Sequence, residues 1–186
     1  MRVGRLSTLA KLINNQGTVL SNDIFIGITE PDDYANFGQG LMSSERTTIR
    51  CRWQEGDLIQ RGTWLKTSTG RLFLVQGFVA YKAQQDIVIG AREAHGYQAT
   101  FIDSDGSKTH AVVGLLSYVV KPSEGNGFLP VQERRRAEFA NAEHRPMPGQ
   151  EFTANGSEWR ITEIDADGSS ELTTRVWLEF LKHEQQ

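Results

Sequence analysis

EWRITEIDADGSSELTTRVWLEF, residues 158–180, contains the pattern of two β-strands joined by a short acidic turn. Trp159 and Ile161 share one face because side chains alternate along a strand. Ile164 falls out of that phase, which predicts a bulge or a strand that bends around a barrel corner. The turn has Gly168 after two aspartates, and such residues supply side-chain caps and a positive φ angle. The alternation of apolar residues then resumes through Phe180.

Most of the remaining chain carries the same kind of signal. Short apolar or alternating runs bounded by turn residues are typical of strands; they include DIFIGIT from Asp23, RTTIRCRW from Arg46, RLFLVQGFVAY from Arg71 and HAVVGLLSYVV from His110. Only RLSTLAKLI and VQERRRAEFANAEH have compositions compatible with a helix. Strands at this spacing predict an all-β fold of small antiparallel barrels or sandwiches, with long flexible loops and little helix.

The order of these features repeats along the chain. Residues in the first half match residues in the second at an offset of 86 to 89; the pairs include Ile13 with Ile102, Gly17 with Gly106, Gly27 with Gly114, Gly62 with Gly149, Gly70 with Gly156, Phe73 with Trp159 and Val75 with Ile161. Two small gaps account for the drift in offset. The repeat predicts two tandem modules, residues 1–94 and 95–186, divided near His95 and Gly96.

Composition limits the classes of function. The 186 residues are enough for one medium domain or two small ones. A net charge of −3 argues against a surface devoted to binding nucleic acid. It is compatible with DNA that passes the protein without being bound tightly. Cys51 is the single cysteine, which excludes an internal disulfide and suggests a buried structural thiol. No apolar run has the length of a signal peptide or membrane helix, so we expect a chain that is cytoplasmic when made.

Motifs with catalytic or metal-binding chemistry are not evident. The acidic turns DSDG and DADG lack the ligand series of a calcium loop, and the four histidines have no metal-ligand spacing. We therefore expect no cofactor, no metal and no enzyme activity. The run ERRR, residues 133–136, forms a positive patch in an acidic chain. Two interpretations stay open for it: a solvated face, or a contact for an acidic partner or for DNA phosphate.

Both halves resemble the head-tail joining proteins of long-tailed bacteriophages, which are small β-barrel proteins known as stoppers or head-completion proteins. In the first half the resemblance rests on DIFIGITEPDDYANFGQGLMSSERTTIRCRW, EGDLIQRGTWLKTSTGRLFLVQGF and QDIVIGARE. In the second half it rests on RPMPGQEFTANGSEWRITEIDADGSSELTTRVWLEF. The resemblance covers nearly the whole chain, but its motifs are structural, and other virion barrels use similar hairpins.

The resemblance implies a structural protein of the virion neck, assembled in the host cytoplasm. Such a protein forms a homo-oligomeric ring, usually sixfold, around the channel for double-stranded DNA, between the portal or adaptor and the tail terminator or tail tube. Residues 31–44 and 121–136 match the mobile loop of the family. The residues carried over as oligomer or channel contacts are Asp32, Asp33, Tyr34, Phe37, Gln39, Phe128, Arg134, Arg135 and Arg136. Two modules in one chain leave six copies or three copies open.

Other classes of function stay open at this stage. A tail terminator or another tail ring would use a similar barrel. A monomeric β-barrel module that binds a carbohydrate or peptide would instead present an aromatic groove, with Trp53, Trp64 or Trp177 exposed. A further alternative is that the predicted loops are mobile in solution and make no oligomer or channel contacts.

Overall fold

A computed structural model describes residues 6–29, 41–42, 46–52, 58–82, 86–103, 105–119 and 133–183. These residues form twelve β-strands and contain no helix. The strands of the first half are β1 Thr8–Ile13, β2 Val19–Thr29, β3 Thr47–Arg52, β4 Trp64–Thr67, β5 Leu72–Lys82 and β6 Asp86–Ala94. Those of the second half are β7 Tyr97–Ile102, β8 Lys108–Val119, β9 Glu133–Ala140, β10 Glu151–Ala154, β11 Ser157–Ile164 and β12 Thr173–His183.

Each half is a closed antiparallel barrel of six strands. The order around the first barrel is β1-β2-β3-β6-β5-β4, and around the second it is β7-β8-β9-β12-β11-β10. Strand for strand the two orders are the same. The predicted all-β fold with two tandem barrels is confirmed, and β6 and β7 are separated by His95 and Gly96.

The described parts of the two segments with helix-compatible composition form strands β1 and β9 and contain no helix, so that interpretation was wrong. Ala10 and Leu12 of β1 point into the first barrel, and Ala137 and Phe139 of β9 point into the second. This spacing of two is the period of a strand. Barrel closure gives each of these segments a hydrogen-bonded neighbour on both sides, which outweighs a weak local preference for helix.

The turn glycines recur at matching positions of the two barrels. Gly17 and Gly106 have φ angles of 85° and 82° and close the β1–β2 and β7–β8 turns. Gly62 and Gly149 both have a φ of 88°. Gly62 N–H donates to the carbonyl of Val75 at 2.9 Å, and Gly149 N–H donates to that of Ile161 at 2.7 Å. The sequence repeat is therefore a repeat of backbone conformation.

Equivalent core positions carry different side chains. Leu12, Leu65 and Cys51 of the first barrel occupy the register positions of Phe101, Phe152 and Phe139 in the second. The three phenylalanine rings pack with centroids 5.3–5.6 Å apart. Cys51 is fully buried in the first core, as predicted for a structural thiol.

The hairpin of residues 158–180 has the predicted irregularity. The β11–β12 register shifts between Ile161 and Glu163, so Ile164 pairs with the buried Val176 and returns to the inner face; at the end of β11 it is still 39% exposed. Trp159 and Ile161 stay inside the barrel. The bulge lies between the buried part of β11 and its exposed end.

Candidate interaction surfaces

Six residues predicted to make oligomer or channel contacts lie outside the described part of the chain; they are Asp32, Asp33, Tyr34, Phe37, Gln39 and Phe128. In sequence they fall in the β2–β3 and β8–β9 connections. These connections occupy equivalent places in the two barrels, as the resemblance implies. Their contact role stays a prediction.

The arginine run lies in strand β9. The loop predicted for residues 121–136 is therefore too long at its C-terminal end, because β9 begins at Glu133. The side chain of Arg134 lies outside the described part of the structure. Arg135 places its guanidinium 5.3 Å from the ring centroid of Trp159, and Arg136 lies 4.2 Å from that of Trp177. Adjacent strand residues point to opposite faces, so this run does not form one continuous patch.

Arg136 belongs to a partly buried polar network on the outside of the second barrel. Its Nη1 donates to Asp165 Oδ2 at 3.0 Å, and the two side chains are only 21% and 13% exposed. Alongside, Arg175 lies 3.6 Å from Glu138, which also accepts a hydrogen bond from Thr173 Oγ1 at 3.1 Å. Carboxylates of the same barrel thus neutralise much of the positive charge on these two arginines. The arrangement gives Arg136 a structural role, whereas its role as a partner contact stays a prediction.

The described tryptophans differ in how far they are buried. Trp64 is completely buried and Trp159 nearly so. Trp177 is half-buried beneath Arg136, and Trp53 lies outside the described residues. Trp64, one of three tryptophans suggested for the aromatic groove of a monomeric binding module, is therefore not available to such a groove.

A groove that sequence reasoning missed lies in the first barrel beside β1, β2 and β4. We call it the basic groove; it has a volume of about 470 Å³ and is lined by Leu9, Ala10, Lys11, Ile13, Val19, Asp23, Lys66, Thr67 and Ser68. Lys11 and Lys66 are direct register partners on β1 and β4. The two lysines give the groove positive charge beside the single carboxylate of Asp23, so an anionic group near the lysines would be attracted.

Apolar side chains extend the basic groove toward solvent. Val19 is 45% exposed and Phe25 is 50% exposed, and Phe25 is the register partner of Leu9. The β1–β2 register shifts beside the groove, and Asp23 of β2 has a φ of 63° there. The signal in the sequence was the apolar pair Val19-Leu20 directly after a turn, but the strand pairing was needed to place it beside the lysines.

The second barrel presents a surface of opposite charge at the end of the β11–β12 hairpin. We call residues 163–171 the acidic tip. Glu163, Asp167 and Glu171 are exposed there, and none of the described residues makes an ion pair with them. Ile164 adds exposed apolar area to the same tip.

Hydrogen bonds within the acidic tip define its shape. Asp165 Oδ1 accepts the N–H of Gly168 at 3.2 Å. Ser169 Oγ donates to the carbonyl of Asp165 at 2.7 Å and accepts the N–H of Arg175 at 2.9 Å. Satisfied backbone groups of this kind keep a turn ordered. The tip is therefore preformed, with its unpaired carboxylates directed to solvent.

The two halves of the chain also differ in net charge. Residues 1–95 contain 11 Lys and Arg against 9 Asp and Glu, a balance of +2. Residues 96–186 contain 9 against 14, a balance of −5. The overall charge of −3 therefore conceals a weakly basic half and a clearly acidic half.

Comparisons with known proteins identify no relative. Within the described residues, no three His, Cys, Asp or Glu side chains are grouped so as to hold a metal ion. No helix of the described chain has the length and apolar character needed to cross a membrane. No protein-family profile matches the sequence, and no curated protein or solved structure matches it either.

Proposed function

We propose that this chain is a structural protein of a bacteriophage neck, where copies of it form a ring between the filled head and the tail. One observation carries the proposal: the same six-stranded barrel occurs twice in the chain, with the long connection between the same two strands. The order of these features also underlies the resemblance of the sequence to head-tail joining proteins.

A closed barrel suits a protein that assembles in a controlled way. Barrel closure leaves no free strand edge, so neighbouring copies cannot add to the sheet and contacts must come from side chains and connections. A ring forms when one surface patch meets a different patch on the next copy and the rotation closes. Two barrels per chain allow three copies to form a pseudo-sixfold ring, or six copies to form a larger one.

The charge of the chain fits a channel through which DNA slides. An acidic balance repels phosphate and disfavours tight, nonspecific binding of the duplex. We propose that the connections of residues 30–46 and 120–132 narrow the channel and retain the genome. A strongly basic channel that stays wide open in the assembled ring would contradict this part of the proposal.

Assembly is the first test. The purified protein is examined over a range of concentrations by negative-stain electron microscopy and native mass spectrometry. We expect rings with a central opening and a mass of three or six chains. A protein that stays monomeric at every concentration would count against a self-assembling ring and favour a single binding module.

A second test places the ring in the virion. Lysates of the encoding phage with this gene disrupted are imaged before and after the purified protein is added. Filled or leaking heads beside finished free tails, joined on add-back, are expected for a neck protein. Tails of uncontrolled length would identify a tail terminator instead, and normal infectious particles would contradict both.

A further inference from the structure

We infer that the basic groove of one copy receives the acidic tip of the next copy, so that the first barrel of each chain binds the second barrel of its neighbour. This inference rests on the proposed ring and specifies the surfaces that join its copies. The occupant is a second copy of this chain, because the second barrel carries the complement of the groove in both charge and apolar character.

The basic groove offers a site for carboxylates beside an apolar wall. Lys11 is exposed, and its register partner Lys66 lies across the groove. Leu9, Ile13 and Val19 line the same groove, and Phe25, the register partner of Leu9, is half exposed. A partner with two acidic side chains around one aliphatic side chain would make charge contacts with the lysines and bury apolar surface.

The acidic tip has that combination. Glu163 precedes Ile164, and Asp167 follows across the turn. Ile164 is available for burial because it lies at the end of β11 and is 39% exposed. The tip is preformed by the hydrogen bonds of Asp165 and Ser169, so docking it requires little loss of conformational entropy.

Both surfaces are exposed in a single copy, so each is open to another molecule. Pairing unlike patches is a heterologous contact, and such contacts generate rings or open filaments. The basic groove lies in the first barrel and the acidic tip in the second. Each contact therefore joins unlike surfaces of two copies, and the copies assemble head to tail. The second barrel has no equivalent lysine pair, since Thr100 and Thr153 occupy the register positions of Lys11 and Lys66.

Charge reversal tests the contact. Lys11→Glu with Lys66→Glu gives a variant whose groove and tip are both acidic, and Glu163→Lys with Asp167→Lys gives one in which both are basic. Each variant alone should lose its rings in native mass spectrometry, with association weakened by about a hundredfold. Circular dichroism and thermal unfolding show whether the variants stay folded.

Restoration makes the test specific. Mixing the two variants creates complementary contacts at every junction, but only in alternating order, so that closed rings need an even number of copies. A single chain with all four substitutions should restore rings of any copy number. If wild-type rings contain three copies, the four-substitution chain should re-form them while the mixture gives open chains or rings of six.

A matched control carries the same charge change elsewhere. Lys108 and Lys182 are exposed on the second barrel, and Lys108→Glu with Lys182→Glu should leave the rings intact. Rings that persist after reversal of the groove or the tip would overturn the inference while leaving the ring proposal standing. Loss of rings in the control, or failure of both restorations, would overturn it as well. Absence of rings in the wild type would instead contradict the proposed function.

Discussion

The guanidinium carbon of Arg136 lies over the ring of Trp177, 4.2 Å from the ring centroid. The same guanidinium donates to Asp165 Oδ2 at 3.0 Å. One strand residue therefore connects β12 to the turn that follows β11. This contact explains why an arginine that resembles a surface charge in the sequence is a structural element of the second barrel.

Substituting Arg136 should destabilise the second barrel. Arg136→Met removes the cation while keeping an apolar stem over Trp177, and it leaves the Asp165 carboxylate partly buried without its partner. We expect a loss of about 1–3 kcal/mol in the free energy of unfolding. Hydrogen exchange of β9 and β12 measures it, because two barrels need not unfold in one transition.

A double-mutant cycle separates the ion pair from general disruption. Asp165→Asn combined with Arg136→Met should cost less than the sum of the two single changes. Arg160→Met is the control, because Arg160 bonds to Glu151 at 2.7 Å with both side chains nearly half exposed; its effect should be smaller. Additive effects of Arg136 and Asp165 would show that the pair contributes no coupling.

Gly70 and Gly156 form a matched pair for testing the repeat. Their φ angles are 87° and 67°, and an added Cβ would meet no atom within 4 Å at either position. Alanine at each should therefore cost about 1 kcal/mol through backbone conformation alone. Asparagine, which tolerates a positive φ better, should cost less. Thermal unfolding with hydrogen exchange would assign each loss to its own barrel.

Gly96 provides the contrast to these two positions. It has no positive φ, but a Cβ there would collide with the backbone carbonyl of Val113. Gly96→Ala should be more damaging than alanine at Gly70 or Gly156, because a strand must move. Equal effects at all three positions would argue that close packing around Gly96 is unimportant.

Trp64 and Trp159 should respond differently to phenylalanine. The indole N–H of Trp64 is buried without a hydrogen-bond partner among the described residues, whereas that of Trp159 donates to the Ala154 carbonyl at 3.4 Å. Trp64→Phe removes an unsatisfied donor, which offsets part of the lost packing, so it should cost less than Trp159→Phe. Alanine at either position should cost about 3–5 kcal/mol. Urea unfolding followed by hydrogen exchange compares the four variants; a larger loss for Trp64→Phe would contradict this account.

Asp105 predicts a dependence of stability on acid pH. The pKa of Asp105 is lowered from its ordinary value of 3.8, chiefly because the backbone N–H of Ser107 donates to its carboxylate. A lowered pKa in the folded state stabilises above the ordinary value, and this contribution is lost as pH falls through the folded value. Asp105→Asn should therefore flatten the acid limb of a plot of stability against pH. Identical limbs in both proteins would show that Asp105 does not contribute.

The sequence by itself determined the class of the fold and its duplication. Alternating apolar residues define which face of each strand is buried, and turn glycines such as Gly62 and Gly149 require a backbone that other residues adopt at a cost. These signals are local, so both halves show them although the buried side chain is Cys51 in the first core and Phe139 at the equivalent position of the second. The bulge before Ile164 was readable for the same reason.

Only the tertiary structure decided which surfaces could bind. The segment of β9 has a helix-compatible composition but forms a strand, because barrel closure gives it hydrogen-bonded neighbours on both sides. Trp64 is buried by packing that no local sequence pattern reveals. Lys11 and Lys66 are far apart in sequence, and pairing of β1 with β4 brings them together across the basic groove. Strand register depends on long-range partners, so a charge in the sequence becomes a site only after the barrel has closed.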